Sequence, residues 1–477
     1  NSDLISVISN SVNSVNSVKR YESNRNLITS IQNMSGTNLV SQFDYINDQI
    51  GRRTQRVDTL AVTNSFGYNL KSELVAASMG TNSYNYWYDN IGNRESATNN
   101  GETTTYTANS LNQYTSIING GLKILSYDLD GNLTNDSVFT YTWDCENRLI
   151  GVSSNGSEIA SYKYDYMGRR YEKTVNGVTN QFVYDGWAMI QEQNSAGVKS
   201  YVYGLDLSGT LQGAGTISGI LMANLNGTNA FFCYDANGNV TDLVGSNGNP
   251  SAHYEFDPYG NTIVKTGALA DANSYRFSTK YTDSETGLLY YGFRFYSTKL
   301  SRWISRDPIG EQGGKNLYGF VRNNPIKKVD KLGLEDWDWG PWDDPQNYDN
   351  ADDAAKAAGE YYLPETRRNQ IEHCGNICKK CSDYITTHVE GWVTANGQHG
   401  CNPYKAPCPD GWEQVGWWHT QDQPWWNFWD SIEDEFSVYD RNYSEGGWGP
   451  GYLTNPDGTG RYDPSSDGSG EGEFHVL

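Results

Sequence analysis

Aromatic and polar positions alternate through most of the first 300 residues. Tyr162 and Tyr164 are separated by Lys163, and successive side chains of a strand point to opposite faces of a sheet. Asp165 ends the run, because its short side chain bonds the backbone two residues further on. Gly168 then supplies the positive φ that a tight hairpin turn needs. The pattern predicts a β-hairpin with one aromatic face.

Copies of this unit recur along the chain. The clearest copies are Tyr88-Asp89 with Gly92, Tyr127-Asp128 with Gly131, Tyr164-Asp165 with Gly168, Tyr234-Asp235 with Gly238, and Phe256-Asp257 with Gly260. Degenerate copies are Phe43-Asp44, Trp143-Asp144 and Tyr184-Asp185. One hairpin cannot bury its own aromatic face, so the units are expected to stack side by side and share it. The high content of Tyr (35) and Gly (50) agrees with strands joined by tight turns.

The copies YDLDGNLT, YDYMGRRYEK and YDANGNVTDL resemble the consensus of the RHS/YD-repeat family. The resemblance implies a strip of sheet wound into a shell that encloses a C-terminal cargo. We therefore expect a mainly β fold, a YD-repeat β-hairpin sheet wound into a shell and followed by a small α+β C-terminal domain. The periodicity by itself predicts only repeated hairpins, and an ordinary β-solenoid without cargo is the alternative.

Charge divides the chain near residue 334. Residues 335–477 hold 27 acidic and 8 basic side chains and most of the 15 Trp, whereas the preceding residues are nearly neutral. An acidic domain argues against a nucleic-acid partner, since phosphate binding needs basic patches. No run of about 18 apolar residues is present, so no membrane span is expected.

These observations predict six segments. They are an irregular N-terminal segment (1–40), YD/RHS repeats (41–289), a core-associated segment (290–334), a linker (335–350), a C-terminal domain (351–465) and a flexible tail (466–477). The chain begins at Asn1 without Met or an apolar signal region, so we interpret it as a piece of a longer protein. The upstream remainder of its own chain is then an expected partner.

The segment YYGFRFYSTKLSRWISRDPIGEQGGKNLYGFVRNNPIKKVDKLGL, residues 290–334, closely resembles the RHS core-associated segment. In that family the segment is an intramolecular aspartyl protease that cuts after its closing Gly-Leu. The resemblance implies Asp307 and Asp330 as the carboxylate pair and the Leu334–Glu335 bond as the one cut. Two carboxylates that share a proton can serve as base and acid.

Two features qualify this assignment. Arg306, next to Asp307 in sequence, is the expected electrostatic partner of the pair. The family usually has Pro after the second Asp, and Lys331 stands there instead, so we expect a less rigid loop and slower cleavage. The alternative is that both aspartates are turn residues of a structural plug.

The C-terminal domain resembles a bacterial domain of unknown function that is similar to JAB/MPN metalloproteases. The resemblance rests on the order of DDAAKAA, NQIEHCGNIC, GWWHTQ, EFSVYD and GYLTNPDGTGRYDP. It implies a sheet with a helix near 351–361. Residues of that family's zinc site map onto His419 and Asp440 as ligands, Ser437 beside the oxyanion and Glu372 as base.

The zinc site implied for this domain lacks one ligand, because Gln421 stands where the family has its second histidine. An amide oxygen is a poor zinc ligand beside imidazole and carboxylate. Weak zinc binding and little hydrolase activity are therefore expected, and no other cofactor is predicted. Five cysteines offer a competing site, either as disulfides, as structural zinc or as free thiols. They are Cys374, Cys378, Cys381, Cys401 and Cys408.

Two functions fit these features. The first is a secreted toxin shell that encapsulates its variable C-terminal effector domain and releases it by autoproteolysis. An immunity protein or a secretion apparatus would then be its partner. The second is a structural or adhesive protein of the cell surface with an inactive C-terminal domain. The Asp307/Asp330 pair favours the first function, and Gln421 favours the second.

Overall fold

The computed structural model describes residues 15–22 and 27–334, two short strands at 7–9 and 336–337, and strands between 373 and 476. The chain divides into two compact units, Asn1–Asp338 and Trp339–Leu477. Strands make up nearly all regular structure of the described residues, so the predicted mainly β fold is confirmed. No helix in these ranges is long and apolar enough to cross a membrane.

The first sheet has twelve antiparallel strands in chain order. They are β1 (Val7–Ser9), β2 (Val15–Tyr21), β3 (Ile28–Ser35), β4 (Asn38–Asn47), β5 (Arg53–Asp58), β6 (Thr63–Tyr68), β7 (Leu74–Met79), β8 (Asn82–Tyr88), β9 (Arg94–Asn99), β10 (Glu102–Ala108), β11 (Tyr114–Ile118) and β12 (Leu122–Ile124). The irregular segment predicted for residues 1–40 is wrong where β2 and β3 pair, as at Val18 and Gln32. This part of the chain has the alternation of a strand without the aromatic-Asp pair that marks the later copies.

The second sheet has fourteen antiparallel strands, again in chain order. They are β13 (Ser126–Tyr127), β14 (Leu133–Asn135), β15 (Thr140–Trp143), β16 (Leu149–Ser154), β17 (Ser157–Tyr164), β18 (Arg170–Val175), β19 (Val178–Asp185), β20 (Ala188–Asn194), β21 (Gly197–Tyr203), β22 (Ile220–Leu225), β23 (Thr228–Tyr234), β24 (Val240–Gly245), β25 (Pro250–Phe256) and β26 (Thr262–Thr266). Each strand therefore pairs with its neighbours along the chain, which is the arrangement expected of stacked hairpins.

The turns form as the repeat pattern predicts. Asp165 Oδ1 accepts the backbone N–H groups of Met167 and Arg169, each at 2.9 Å. The Nε of Arg169 donates to Asp165 Oδ2 at 2.8 Å, and Gly168 has a φ of 79°. Both oxygens of the aspartate are thus used within its own turn. The residue four positions on makes the same two bonds at Asp89, Asp128, Asp235 and Asp257.

The tyrosines of the repeat face neighbouring strands, as predicted. The hydroxyl of Tyr164 donates to the carbonyl of Leu149 at 2.6 Å, and the hydroxyl of Tyr184 donates to Arg170 at 2.8 Å. Burying a phenol requires such a partner, since an unpaired buried donor is costly. The aromatic rings in turn cover the segment that follows the repeats, as where Tyr162 lies 5.8 Å from Phe295 between ring centroids.

The segment after β26 is short-stranded and deeply buried. Its elements are β27 (Tyr281–Thr282), β28 (Leu288–Tyr290), β29 (Phe295–Ser297), β30 (Arg302–Trp303), β31 (Val329–Asp330), β32 (Asp336–Trp337) and 3-10 helices at Phe277–Thr279, Gly310–Gly313 and Val321–Asn323. Tyr296, Trp303 and Phe320 are at most 1% exposed and pack together, with Tyr296 and Phe320 stacked at 4.0 Å. These residues and the inner faces of the second sheet form one hydrophobic core.

The second unit contains a seven-stranded sheet and a separate strand pair among its described residues. The strands are β33 (His373–Lys380), β34 (Asp383–Thr386), β35 (Val389–Glu390), β36 (Trp392–Val393), β37 (His399–Gly400), β38 (Glu413–Thr420), β39 (Gly451–Asn455), β40 (Gly458–Asp463) and β41 (Glu473–Val476). Strands β38 and β39 are parallel, and the other pairs are antiparallel. The helix predicted at 351–361 lies outside the described residues.

Candidate self-cleavage site

One buried guanidinium joins the two predicted carboxylates. Arg294 Nη2 lies 2.7 Å from Asp307 Oδ2 and 3.5 Å from Asp330 Oδ2. Asp307 is 9% exposed, Asp330 2% and Arg294 3%. Residues 23 positions apart are therefore brought together in a dry environment, where charges interact strongly.

Asp330 organises the last residues before the expected cut. Its Oδ1 accepts the backbone N–H groups of Leu332 (3.1 Å), Gly333 (2.5 Å) and Leu334 (3.1 Å). Burial raises the pKa of Asp330 to about 6, while Arg294 and these N–H groups act in the opposite direction. Asp330 is therefore a carboxyl group that holds its proton more tightly than an ordinary aspartate does.

Asp307 lies beside the carbonyl group of the expected scissile bond. It begins the turn that leads into the 3-10 helix Gly310–Gly313, where its Oδ1 accepts the N–H of Ile309 at 3.1 Å. A methyl group built on Gly313 would collide with both Asp307 Oδ2 and the carbonyl oxygen of Leu334. The carboxylate and the carbonyl thus flank one small space, which only glycine leaves open.

The carbonyls before the cut are held by donors from one short stretch. The N–H of Phe293 donates to the carbonyl of Leu332 at 3.0 Å. Arg294 Nε donates to the carbonyl of Gly333 at 2.5 Å, and its Nη2 donates to Leu334 at 3.3 Å. The segment is therefore fixed through its main chain, with Arg294 contacting both carboxylates and two of the carbonyls.

A cleft of about 530 Å³ opens next to Asp307 and is lined in part by Asp130, Arg148, Tyr166 and Pro308. Asp307 itself lines the cleft, so water in the cleft can reach this member of the pair. A carboxylate beside a guanidinium, a second carboxyl group with a raised pKa and a fixed peptide carbonyl are the components that water-mediated peptide hydrolysis requires.

The electrostatic partner of the pair is Arg294 and not the predicted Arg306. Arg306 is exposed, and its aliphatic carbons lie against Gly131. Arg306 was predicted because it is adjacent to Asp307 in sequence. The Asp307 side chain is buried and the Arg306 side chain is exposed, so this prediction was wrong. A usable signal was the arginine between two phenylalanines in FRF, because a cation in an aromatic run needs a buried partner.

Few of the residues proposed for the C-terminal domain fall within the described part of the chain. His419 belongs to β38 and is the cross-strand partner of Cys374 on β33, which also carries Cys378. Glu372, Ser437, Asp440, Gln421, Cys381, Cys401 and Cys408 lie outside the described residues. In the first unit, Cys145 and Cys233 are free thiols, the former exposed and the latter buried.

The sequence of the first unit matches a known family. The family described as Teneurin YD-shell matches residues 2–326, more than half of the chain. The chain belongs to the Teneurin YD-shell family. The YD-repeat sheet predicted from the sequence is thereby confirmed as a shell of this type.

Relatives of this chain include one named as a nuclease and one named as a deaminase toxin. The chain is 36% identical over 270 residues to the tRNA3(Ser)-specific nuclease WapA of Bacillus spizizenii, covering 53% of this chain and 11% of that protein. It is 29% identical over 237 residues to the double-stranded DNA deaminase toxin A of Burkholderia cenocepacia, covering 44% of this chain and 16% of that protein. The chain thus spans a small part of the length of these relatives.

A solved structure shows the same shell fold. The Tc holotoxin pore of Photorhabdus luminescens aligns with a TM-score of 0.51 at 21% sequence identity, covering 67% of this chain and 18% of that one. At this identity the likeness concerns the fold. A YD shell similar to those of toxins is therefore the common element of the comparisons.

Proposed function

We propose that this chain is part of an RHS-type toxin that cuts itself after Leu334 and releases the unit that follows as an effector. The observation that carries the proposal is the buried pair of Asp307 and Asp330, joined by Arg294 and lying against the Leu334 carbonyl. The names of the relatives support a toxin, and they act on different substrates. We propose that the protein is exported and that the shell encloses the effector.

The geometry suggests a role for each carboxyl group. Asp307, paired closely with Arg294, accepts a proton from water, whose oxygen forms a bond to the carbonyl carbon of Leu334. Asp330 supplies the proton that the departing amine of Glu335 takes up as the C–N bond breaks. Arg294, which donates to the Leu334 carbonyl, stabilises the negative charge that develops on that oxygen.

The rate of such a cut depends on pH. Asp330 must carry a proton to act as the acid, and burial raises its pKa to about 6. Cleavage should therefore be fastest below this pH and slow down as the pH rises through it. Lys331, in place of the family's proline, lowers the expected rate without removing any of the three groups.

Intact-mass analysis of the purified chain tests the proposal. The wild type should yield two fragments that end at Leu334 and begin at Glu335. The Asp307→Asn chain should stay whole, whereas Asp165→Asn, a repeat aspartate far from the site in sequence, should be cut as the wild type is. A wild-type chain that remains whole after long incubation at pH 5 would contradict self-cleavage.

The activity of the released unit is a separate part of the proposal. The JAB-like resemblance leaves it as an effector that binds catalytic zinc weakly, since Gln421 replaces a ligand. Residues 335–477 expressed in bacteria should arrest growth if the unit is a toxin. Unaffected growth would favour the structural or adhesive alternative. Zinc titration of the wild type and of His419→Ala measures whether the metal binds at this residue. Growth of bacteria that express His419→Ala then shows whether the growth effect involves the metal.

A further inference from the structure

A second buried cation lies next to the cleavage site. Lys280 is 5% exposed, and its Nζ donates to the carbonyl of Lys331 at 2.5 Å and to the carbonyl of Gly215 at 3.0 Å. Its ammonium lies 5.1 Å from the centre of the Tyr291 ring. Lys331 directly follows Asp330, so this lysine holds the first carbonyl of the turn that Asp330 organises.

The loop that carries Gly215 is rigid and belongs to the shell. Asp206 Oδ2 accepts the N–H groups of Ala214 (2.7 Å) and Thr216 (3.2 Å), which fixes the backbone on either side of Gly215. Gly215 has a φ of 59°, and a methyl group there would collide with the carbonyl oxygen of Lys331. The loop between β21 and β22 is thus shaped to receive the segment before the cut.

The turn that carries Lys280 is strained. Ser278 and Thr279 have φ values of 50° and 51°, a region that non-glycine residues seldom adopt. The repeat turn between β23 and β24 holds this conformation, because Asn239 Oδ1 accepts the N–H of Ser278 at 2.8 Å and the hydroxyl of Thr279 donates to the carbonyl of Gly238 at 2.6 Å. Strain that surrounding contacts maintain is typical of functional positions.

Charge couples Lys280 to Asp330. Burial lowers the pKa of Lys280 to about 8, and Asp330 and Asp206 oppose this shift. From the other side, Arg294 and Lys280 both lower the pKa of Asp330 against the effect of burial. Arg294 also contacts Asp307. Removing the ammonium therefore raises the pKa of Asp330 further.

We infer that Lys280 is a positioning residue for self-cleavage, which ties the turn after Asp330 to the shell loop at Gly215. The inference rests on the proposed function, since it deepens the description of the same site. Lys280 donates to the Lys331 carbonyl and lowers the pKa of Asp330, so it acts through this carbonyl and through the charge of Asp330.

The test compares Lys280→Met, which removes both donor and charge, with Lys280→Gln, which keeps an N–H donor. The full chain is diluted from urea into buffers between pH 4.5 and 9, and fragments are followed by mass spectrometry. At pH 5 Lys280→Met should be cut about tenfold more slowly, and Lys280→Gln within about threefold of the wild type. In both variants the alkaline decline of the rate should move to higher pH.

Lys173→Met is the matched control, because Lys173 is also 5% exposed but pairs with Asp283 and Glu285 away from the cut. It should leave the pH profile unmoved. A uniform loss of rate in Lys280→Met without a shift of the profile, or an equal effect of Lys173→Met, would reduce Lys280 to a packing role and overturn the inference.

Amide exchange separates this inference from the proposed function. In an Asp307→Asn chain, which stays whole, adding Lys280→Met should speed exchange of the amides of residues 332–334 that donate to Asp330. Unchanged exchange would overturn the positioning role. If the wild type is never cut, the proposed function fails, and the exchange result still decides whether Lys280 fixes this turn.

Discussion

The aspartates of the repeat turns and those of the core-associated segment use the same local chemistry to different ends. Asp165 and Asp330 each accept backbone N–H groups from the residues that follow them. In the repeat, the second oxygen is bound by Arg169 of the same turn, whereas in the core the second oxygen of Asp330 faces Arg294, 36 positions away in sequence. The comparison shows that an aspartate can form a turn with one oxygen. Its second oxygen can then contact a residue outside that turn when no residue of the turn binds it.

The largest difference in cleavage rate should appear when the arginine of the core-associated segment and an arginine of a repeat turn are each replaced by methionine. Arg294→Met leaves two buried carboxylates without their shared cation and should slow cleavage by at least about 100-fold. Arg169→Met removes the arginine of the Asp165 turn, which is partly exposed. It should cost at most about 1 kcal/mol of stability and leave the cleavage rate unchanged. Fragment yields and urea unfolding measure the two effects. Equal rates in both variants would contradict the distinction.

A methyl group at Gly313 should separate cleavage from folding. Gly313→Ala places a carbon between Asp307 and the Leu334 carbonyl, so cleavage should fall about 100-fold while the fold persists. Gly310→Ala is the control, because that position has open space around it. Its positive φ makes it slightly strained, yet its cleavage should remain. Rapid cutting by Gly313→Ala would show that the carbonyl does not lie where the structure has it.

Two glycines of the repeat differ only in what lies opposite them. Gly131 and Gly168 have φ values of 86° and 79°, but a methyl group on Gly131 would lie 2.5 Å from Arg306 Cδ and 2.6 Å from the Tyr318 hydroxyl. Gly168→Ala should cost about 1 to 2 kcal/mol for the backbone alone. Gly131→Ala should cost about 1 to 3 kcal/mol more for the overlap. Urea unfolding of Asp307→Asn chains, which stay whole, measures the difference, and equal costs would show that the turn at Gly131 is not packed on the core.

The smallest effect concerns the aspartate of a single repeat. Asp165→Ala removes the acceptor of two backbone N–H groups near solvent and should cost about 1 kcal/mol of unfolding free energy. Asp165→Asn keeps that oxygen and should cost roughly half as much. The same unfolding assay ranks the two, and an equal loss in Asp165→Asn would mean that the charge of Asp165 matters and the acceptor of the turn does not.

The sequence predicts local features of this protein better than distant contacts. The turn at Asp165 and Gly168 follows from residues within five positions, so the pattern sufficed to predict it. Asp307 and Asp330 came from a matched family segment. Arg294 and Lys280 were missed, because their partners are distant in sequence and only the folded core brings them together. Residues 1–40 were misjudged because backbone pairing forms strands even where the aromatic-Asp pair is absent.

The bonds that hold residues 332–334 involve main-chain groups, donated or accepted by Asp330, Phe293 and Arg294. These bonds do not depend on which side chains residues 332–334 carry. The remaining requirement is the small space at Gly313. In evolutionary terms, we expect the proposed cleavage boundary to tolerate the exchange of one downstream domain for another without changes in the shell. The relatives named as a nuclease and as a deaminase illustrate such diversity among proteins with related sequence.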